Sequence, residues 1–559
     1  VKLIMKLHRP SCPIAVMPWG RSPSSFRPRL GAVASVLLGA QAMVCSAQTT
    51  ERFDPANLMM QEHLRRLEQV APATAPKIVP KTDVPTPVAP SATARVQITE
   101  IQFSKTELLD VADLEAVGQR YVGRQLGTAD IQALLEEVST LYRNKGILTG
   151  VPVLPKQDLQ TGVMRILLVE GRLGEVKVAP SNLASAEWVQ RWFDLEANAV
   201  VTQEALRERL VRFNNVSDFS ATAEMVAGTQ FGQTDLSVDV TNTSSVQAWG
   251  FYETSSVSKT TLPSQLGAGL RIMPLTSQGG RLDVSAMNTD IGSTVSGVMG
   301  FPLGVDGWRT SLNVSAARSK TLMKGNTADL TIRGDSSAFS WDVGRTWVLA
   351  DPWVLGTAMS LSKSRSQTSV DDTPLFNRET NKLSLVSTLN HEAQNQRGFL
   401  RSSFNVSSDA SLYRYWEFLG NWRSALDEAG LWQFRTSGLL RFKPDAAVST
   451  LDRFYLGGPD TVRGFNMGSA GGDYGAAAQL ELRRSIRDMD WASTEAYVFM
   501  DMGQAKDAVT QVSNHLRSTG FGVQAKLNEQ WGIDVMATRQ LSTHIAAPTR
   551  VMLRLILSY

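Results

Sequence analysis

The stretch Val551-Met552-Leu553-Arg554-Leu555-Ile556-Leu557-Ser558-Tyr559 alternates strictly: Val551, Leu553, Leu555, Leu557 and Tyr559 share one face, and Met552, Arg554, Ile556 and Ser558 the other. An all-apolar face backed by one that admits an arginine suits a strand lying between lipid and a wet lumen. The competing reading is the edge strand of a soluble sandwich. Against it stands what precedes this strand. Working backwards, runs of about ten alternating residues recur to Val246, separated by Gly, Asn, Asp, Ser and Pro. They centre near residues 251, 269, 284, 297, 313, 341, 359, 386, 401, 419, 435, 479, 497, 521, 535 and 554, sixteen in all. An even number at this spacing matches a transmembrane barrel, expected over 244–559. Leu557 and Tyr559 are then the candidate recognition residues for barrel insertion.

Composition alone does not announce a membrane protein: hydrophobic residues are 43% of 559 and the mean hydropathy is −0.12. Beyond the N-terminal region no run of eighteen apolar residues exists, which excludes helical spans there. Arg27 and Arg29 precede an apolar run from Leu30 to Val44, closed by Cys45-Ser46-Ala47, so residues 1–47 read as a secretory signal. They carry six basic residues and no acid; removing them leaves 50 basic against 53 acidic residues, and a nucleic-acid-binding reading loses its support. Both cysteines, Cys12 and Cys45, leave with them, which suits an oxidising compartment.

Asp54-Pro55 is a helix start, and Leu58, Met59, Leu64 and Leu67 make 48–70 a segment with one amphipathic helix. Prolines at 72, 76, 80, 85, 87 and 90 make 71–93 an extended tether. From Arg95 the texture is α/β. Val96–Phe103 alternates as a strand, helices follow over 111–122 and 129–145, and strands over 148–154 and 162–170. The order repeats: a strand at 173–179, helices at 186–193 and 202–213, strands at 219–227 and 234–241. Two β-α-α-β-β modules are therefore expected, over 94–171 and 172–243.

The longest interval without a strand, 442–472, holds Gly457-Gly458-Pro459-Asp460-Thr461-Val462-Arg463-Gly464-Phe465. Two strands later comes Tyr497-Val498-Phe499-Met500-Asp501-Met502-Gly503. There Ala496, Val498, Met500 and Met502 suit lipid, so Tyr497, Phe499, Asp501 and Gly503 face the lumen. An acid inside a barrel gains from a fixed cation, and Arg463, at the tip of a glycine-rich loop able to fold inward, is the candidate partner.

Val462-Arg463-Gly464-Phe465 together with Phe499-x-Asp501-x-Gly503 resembles the outer-membrane insertase and transporter superfamily, in which this Arg and Asp meet inside the barrel. Two preceding modules are similar to POTRA domains as the two-partner secretion transporters (TpsB; haemolysin and filamentous-haemagglutinin exporters) carry them. Tyr142-x-x-x-Gly146, Val169-Glu170-Gly171 and Thr234-Asp235-Leu236-Ser237-Val238 sit where that family has similar residues. Ala227-Gly228, where Pro-Gly is common, and Tyr559, where Phe is common, depart from the pattern. The resemblance implies a plug helix at 48–70, periplasmic modules, a 16-stranded antiparallel barrel in a Gram-negative outer membrane, and export of an unfolded exoprotein (TpsA-like, haemolysin or adhesin) without ATP. Outer-membrane lipid, the barrel assembly machinery and periplasmic chaperones are implied as further partners. An insertase for other outer-membrane proteins is the alternative, and a diffusion porin a weaker one.

No enzymatic chemistry is legible. His8, His63, His391, His515 and His544 lack ligand spacing, no nucleophile elbow or phosphate-cradling loop occurs, and neither metal nor cofactor is expected. Trp249, Trp308, Trp341, Trp347, Trp353 and Trp531 read as interfacial anchors.

Overall fold

The computed structural model describes residues 95–558 apart from 182, 231, 242–245, 258–259, 262–263, 324–328, 487–492, 529 and 542–548. The leader, the helix expected at 48–70, the tether and Tyr559 lie outside the described residues.

In the first module the central strand Val163–Glu170 pairs parallel with Glu100–Phe103 and antiparallel with Gly150–Val153. The alternation over 96–103 predicted one strand, but the segment divides. Ile98 accepts from the Gly123 amide and Thr99 donates to the Gly162 carbonyl, which takes both out of a ladder. Val96–Gln97 then pairs with an unexpected short strand, Gln125–Leu126. Helices α1 (Val111–Gln119) and α2 (Thr128–Asn144) cover the sheet. Helix α2 buries Ile131, Leu134, Val138 and Tyr142, a stripe at helical spacing.

The end of α2 explains two of the short motifs. Gly146 takes φ +69, and the chain turns back so that the Ile147 amide bonds the Tyr142 carbonyl at 3.0 Å. The Tyr142 ring fits because position 150 is glycine; a Cβ there would lie 2.3 Å from it. Its hydroxyl donates to Glu170 at 3.1 Å, which also accepts from the Thr106 hydroxyl and the amides of Glu107 (3.0 Å) and Leu108 (3.2 Å). Burial pushes the Glu170 carboxyl up, but these donors outweigh it and hold the group below its ordinary value. Its stabilisation is therefore present above pH ~4.5 and lost as pH falls through the lower folded value. Glu170→Gln is expected to cost about 2 kcal/mol. Hydrogen exchange at Glu107 and Leu108 should quicken in that variant at pH 7, with the difference shrinking in acid; equal exchange at pH 7 would refute the role.

The second module repeats the scheme. Gln233–Thr241 pairs parallel with Arg172–Val178 and antiparallel with Ser220–Ala227, under α3 (Ala186–Trp192) and α4 (Gln203–Val216). Trp188, Trp192, Phe193, Phe213 and Phe219 form its aromatic core. Asp235, almost fully buried, accepts from the Glu175 amide at 2.9 Å and Lys177 at 2.6 Å beside an irregularity between Leu173 and Val176. The modules are spliced by main-chain bonds from Leu148 to Val201 and from Gln203 to Gly146, and Leu148 enters the second core.

From Val246 sixteen antiparallel strands close into a barrel, the last, Thr549–Ser558, pairing with the first, Val246–Val257, from Arg550↔Val257 to Ser558↔Trp249. Each centre expected from alternation falls within a strand. Many strands are longer than about ten residues, reaching 21 in Thr373–Ala393. About ten suffice to cross lipid. The outward pair Lys363–Glu379 (2.6 Å) marks where the excess leaves the apolar zone. On strand Ser493–Lys506 Val498 (55% exposed) and Met500 (42%) face outward, while Tyr497, Phe499 and Asp501 are buried inward. In the last strand Val551 and Leu557 face outward and Met552 inward.

Candidate functional site

The interval 442–473 folds back into the lumen as expected of a long loop, but not as a bare one. A two-strand hairpin, Phe454–Leu456 against Ala470–Gly472, forms its stem. Phe454, Leu456 and Val462 are fully buried against Leu439, Ala477, Ala505 and Leu516 of the wall, with Phe465 at the edge of this cluster. Gly503 is needed for the approach, because a Cβ there would lie 3.0 Å from both Leu456 and Val462. Gly464, at φ +83, turns the tip against Thr538, and Gln540 donates to its carbonyl at 2.5 Å.

At the tip Arg463 and Asp501 meet. The carboxylate accepts from the Arg463 amide (2.9 Å), Nε (2.8 Å) and Nη2 (2.6 Å), a side-on fork in which neither oxygen is left over. Asp501 is wholly buried and Arg463 nearly so. The guanidinium lies 3.7 Å from the Phe499 ring centroid, so Phe499 caps it by cation–π contact. Its remaining Nη1 donates to Glu481.

Glu481 is the residue sequence reasoning missed. It bridges Arg463 to Arg483, whose Nε donates at 2.7 Å, and Arg483 continues to Glu495 at 3.1 Å and Gln524 at 2.8 Å while lying 4.3 Å over the Tyr497 ring. Tyr497 donates in turn to Asp534 at 2.7 Å. The signal was present: Gln479, Glu481 and Arg483 alternate on one face of Tyr474–Ile486, and Glu481 lies directly opposite Phe499. A second hub anchors the loop's other end. Asp452 accepts from Lys382 (2.9 Å), Ser407 (2.7 Å) and Tyr413 (2.7 Å), and its carbonyl accepts from Arg441.

The tip and stem of the loop pack on one wall, while its Asp452 end reaches Lys382 and Ser407 at the edge of the other. The other, from Arg281–Thr289 to Gln396–Ser408, carries inward hydroxyls and amides such as Ser296, Asn313, Ser340, Ser360 and Ser384, and bounds a cavity of about 1660 Å³. Its mouth is lined by Gln203, Arg207, Val211 and Asn215, one face of α4. The second module is docked there. Buried Arg207 donates to Asp351 at 2.9 Å and to the Leu349 carbonyl at 3.1 Å, and Arg309 donates to Asp218 and the Val216 carbonyl, both at 2.7 Å. The Gly280 amide also reaches Asp218, at 3.1 Å. These contacts join residues 62 to 144 positions apart, and no local pattern announces them.

The other expectations have plain outcomes. Leu557 faces outward, and Tyr559 lies outside the described residues. Of the histidines, His391 lies between Trp353 and Trp422, and among the described residues no cluster suited to a metal occurs. Gly228, after the departure at Ala227, still closes its turn by an amide bond to the Gln233 carbonyl at 2.9 Å.

Comparison with known proteins follows the same lines. Residues 96–171 match the model of the POTRA domain, ShlB-type, and residues 232–526 that of the haemolysin secretion/activation protein ShlB/FhaC/HecB. The heme/hemopexin transporter protein HuxB of Haemophilus influenzae is 20% identical, over 93% of this chain and 97% of its own. Among solved structures, CdiB from Acinetobacter baumannii superposes with a TM-score of 0.64 at 17% identity, over 90% of this chain and 97% of its own. CdiB from Escherichia coli gives 0.62 at 16%, over 96% and 100%.

Proposed function

Because the chain belongs to the ShlB/FhaC/HecB family of haemolysin secretion/activation proteins, transporters of the outer membrane, we propose that it is a passive pore exporting one unfolded exoprotein. The observation that carries this reading is the α4 face placed at the mouth of a cavity that the inward-folded loop leaves open. A chain captured by the modules, through main-chain bonds at a sheet edge, is thereby presented to the lumen. The periplasm offers no ATP and the sequence no nucleotide motif, so folding of the emerged exoprotein supplies the direction. The exoprotein is of the haemolysin or adhesin class.

The insertase reading requires a barrel seam that opens sideways. Here the seam is paired along nine residues, from Arg550↔Val257 to Ser558↔Trp249, which favours an axial route. Co-expression with a candidate exoprotein of this class, followed by assay of the medium, tests the proposal; an exoprotein retained in the periplasm despite a folded barrel would overturn it. The segment 48–70 is proposed as a plug held by the 71–93 tether. Deleting residues 54–92 should raise conductance in planar bilayers several-fold, and unchanged conductance would sink the plug assignment.

A further inference from the structure

The geometry points to a phospholipid site on the outside of the barrel: we propose that Arg345, held between Trp308 and Trp347, binds the phosphate of a phospholipid in the periplasmic leaflet. Strand Leu330–Val348 alternates between Asp342, bonded inside to Ser311 and Asn313, and an outward face carrying Phe339 (47% exposed), Trp341 (43%) and Trp347 (41%). Arg345 belongs to that outward face. It stands at the end of the strand where the second module docks, since the next turn supplies Leu349 and Asp351 to Arg207. It is thus at the periplasmic edge of the lipid zone, the level at which tryptophans gather.

A cation at this level can reach the lipid headgroups, and here it is held between rings. The guanidinium lies 4.1 Å from the Trp347 ring centroid and 5.6 Å from that of Trp308. Its Nε donates to the Asp306 carbonyl at 3.2 Å. Among the described residues no carboxylate pairs with it and its Nη groups have no acceptor. At the opposite end the outward arginines differ: Arg318 pairs with Asp335 at 3.1 Å, and Arg333 pairs with Asp372. The closer ring, Trp347, is itself fixed, donating to Thr357 at 3.0 Å. Towards the middle of the barrel the same surface continues through Leu312, Phe339 and Met359, exposed and apolar. A planar fork with two open NH2 groups, framed by indoles and continued by an apolar strip, matches a phosphate carried on acyl chains. Free phosphate would use only the fork.

The test is native mass spectrometry of the full chain in neutral detergent, titrated with dioleoylphosphatidylglycerol. Wild type is expected to hold a lipid that survives gentle activation, and Arg345→Gln to bind it about tenfold more weakly. Arg318→Gln should behave as wild type, and inorganic phosphate at the lipid's concentration should not displace the adduct. Equal occupancy in Arg345→Gln, or displacement by inorganic phosphate, would overturn the proposal. Heat-modifiable gel mobility reports folding. Should Arg345→Gln fail to fold, Trp347→Ala keeps the cation and removes its closer wall, and must lower occupancy in the same direction.

Discussion

Arg463→Ala is expected to leave a folded barrel that exports at least tenfold less exoprotein. The substitution removes two side-chain donors from Asp501, a fully buried carboxylate, and leaves it only the backbone amide of residue 463. Splitting a desolvated pair of this kind costs on the order of 3–5 kcal/mol, and Glu481 loses its bridge as well. The barrel itself survives, because its strands are held by ladders that do not involve the loop. The cost falls on the seat of the loop, which remains fastened by the Asp452 hub and the hairpin stem but no longer at its tip. Asp501→Asn should move export in the same direction by less, since an amide oxygen can still accept. Heat-modifiable mobility and exoprotein in the medium are the two readouts. Normal export by a folded Arg463→Ala protein would remove the role assigned to the tip.

A second large effect is expected from Gly279→Val, far from the loop. Gly279 lies in the turn after strand Gln265–Ile272, at φ +92, with its missing Cβ position 2.1 Å from the Ser217 carbonyl at the end of α4. Only glycine both takes this conformation and lets the two backbones touch. A valine is a wedge driven between the second module and the barrel, pushing the α4 face off the cavity mouth. Export should fall at least tenfold, with faster hydrogen exchange near residues 214–219. Asp218→Ala reaches the same junction without a wedge at residue 279, removing the acceptor of Arg309 and of the Gly280 amide at a small backbone cost from its φ of +64, and should weaken docking less. Full export by a variant whose module has demonstrably loosened would show that docking is dispensable.

These two predictions differ in how far the sequence foreshadows them. The pairing of Arg463 with Asp501 was legible because an acid on the inward face of an alternating strand demands a cation, and the Gly-rich loop offered one. Glu481 was legible in principle, as the middle of three polar residues, Gln479, Glu481 and Arg483, at alternate positions of the strand. The docking set was not. Arg207 lies on a helix whose other charges, Glu204, Glu208, Arg209 and Arg212, make it look like an ordinary solvated face, and its partner Asp351 lies in a turn between two strands. The division of Val96–Phe103, by contrast, had a signal that was overlooked: apolar residues fall at 96 and 98 and then at 101 and 103, a slip of phase at Thr99-Glu100, beside which Gly123 and Gly162 claim the backbone of Ile98 and Thr99.

What the sequence by itself determined is whatever depends on the pleat: which residues face lipid, which face the lumen, and that sixteen such strands occur. Side chains alternate with a period of two whatever lies beside them, so this information is local and survives without coordinates. Only the tertiary structure decided what the barrel encloses and what is fastened to it. The loop packs its tip on one wall and pins Asp452 at the edge of the other, a hydroxyl-lined cavity stays open beside it, and α4 stands at the mouth. Those are choices among partners distant in the chain, made by buried ion pairs and by glycines that let two backbones touch, and no periodicity encodes them.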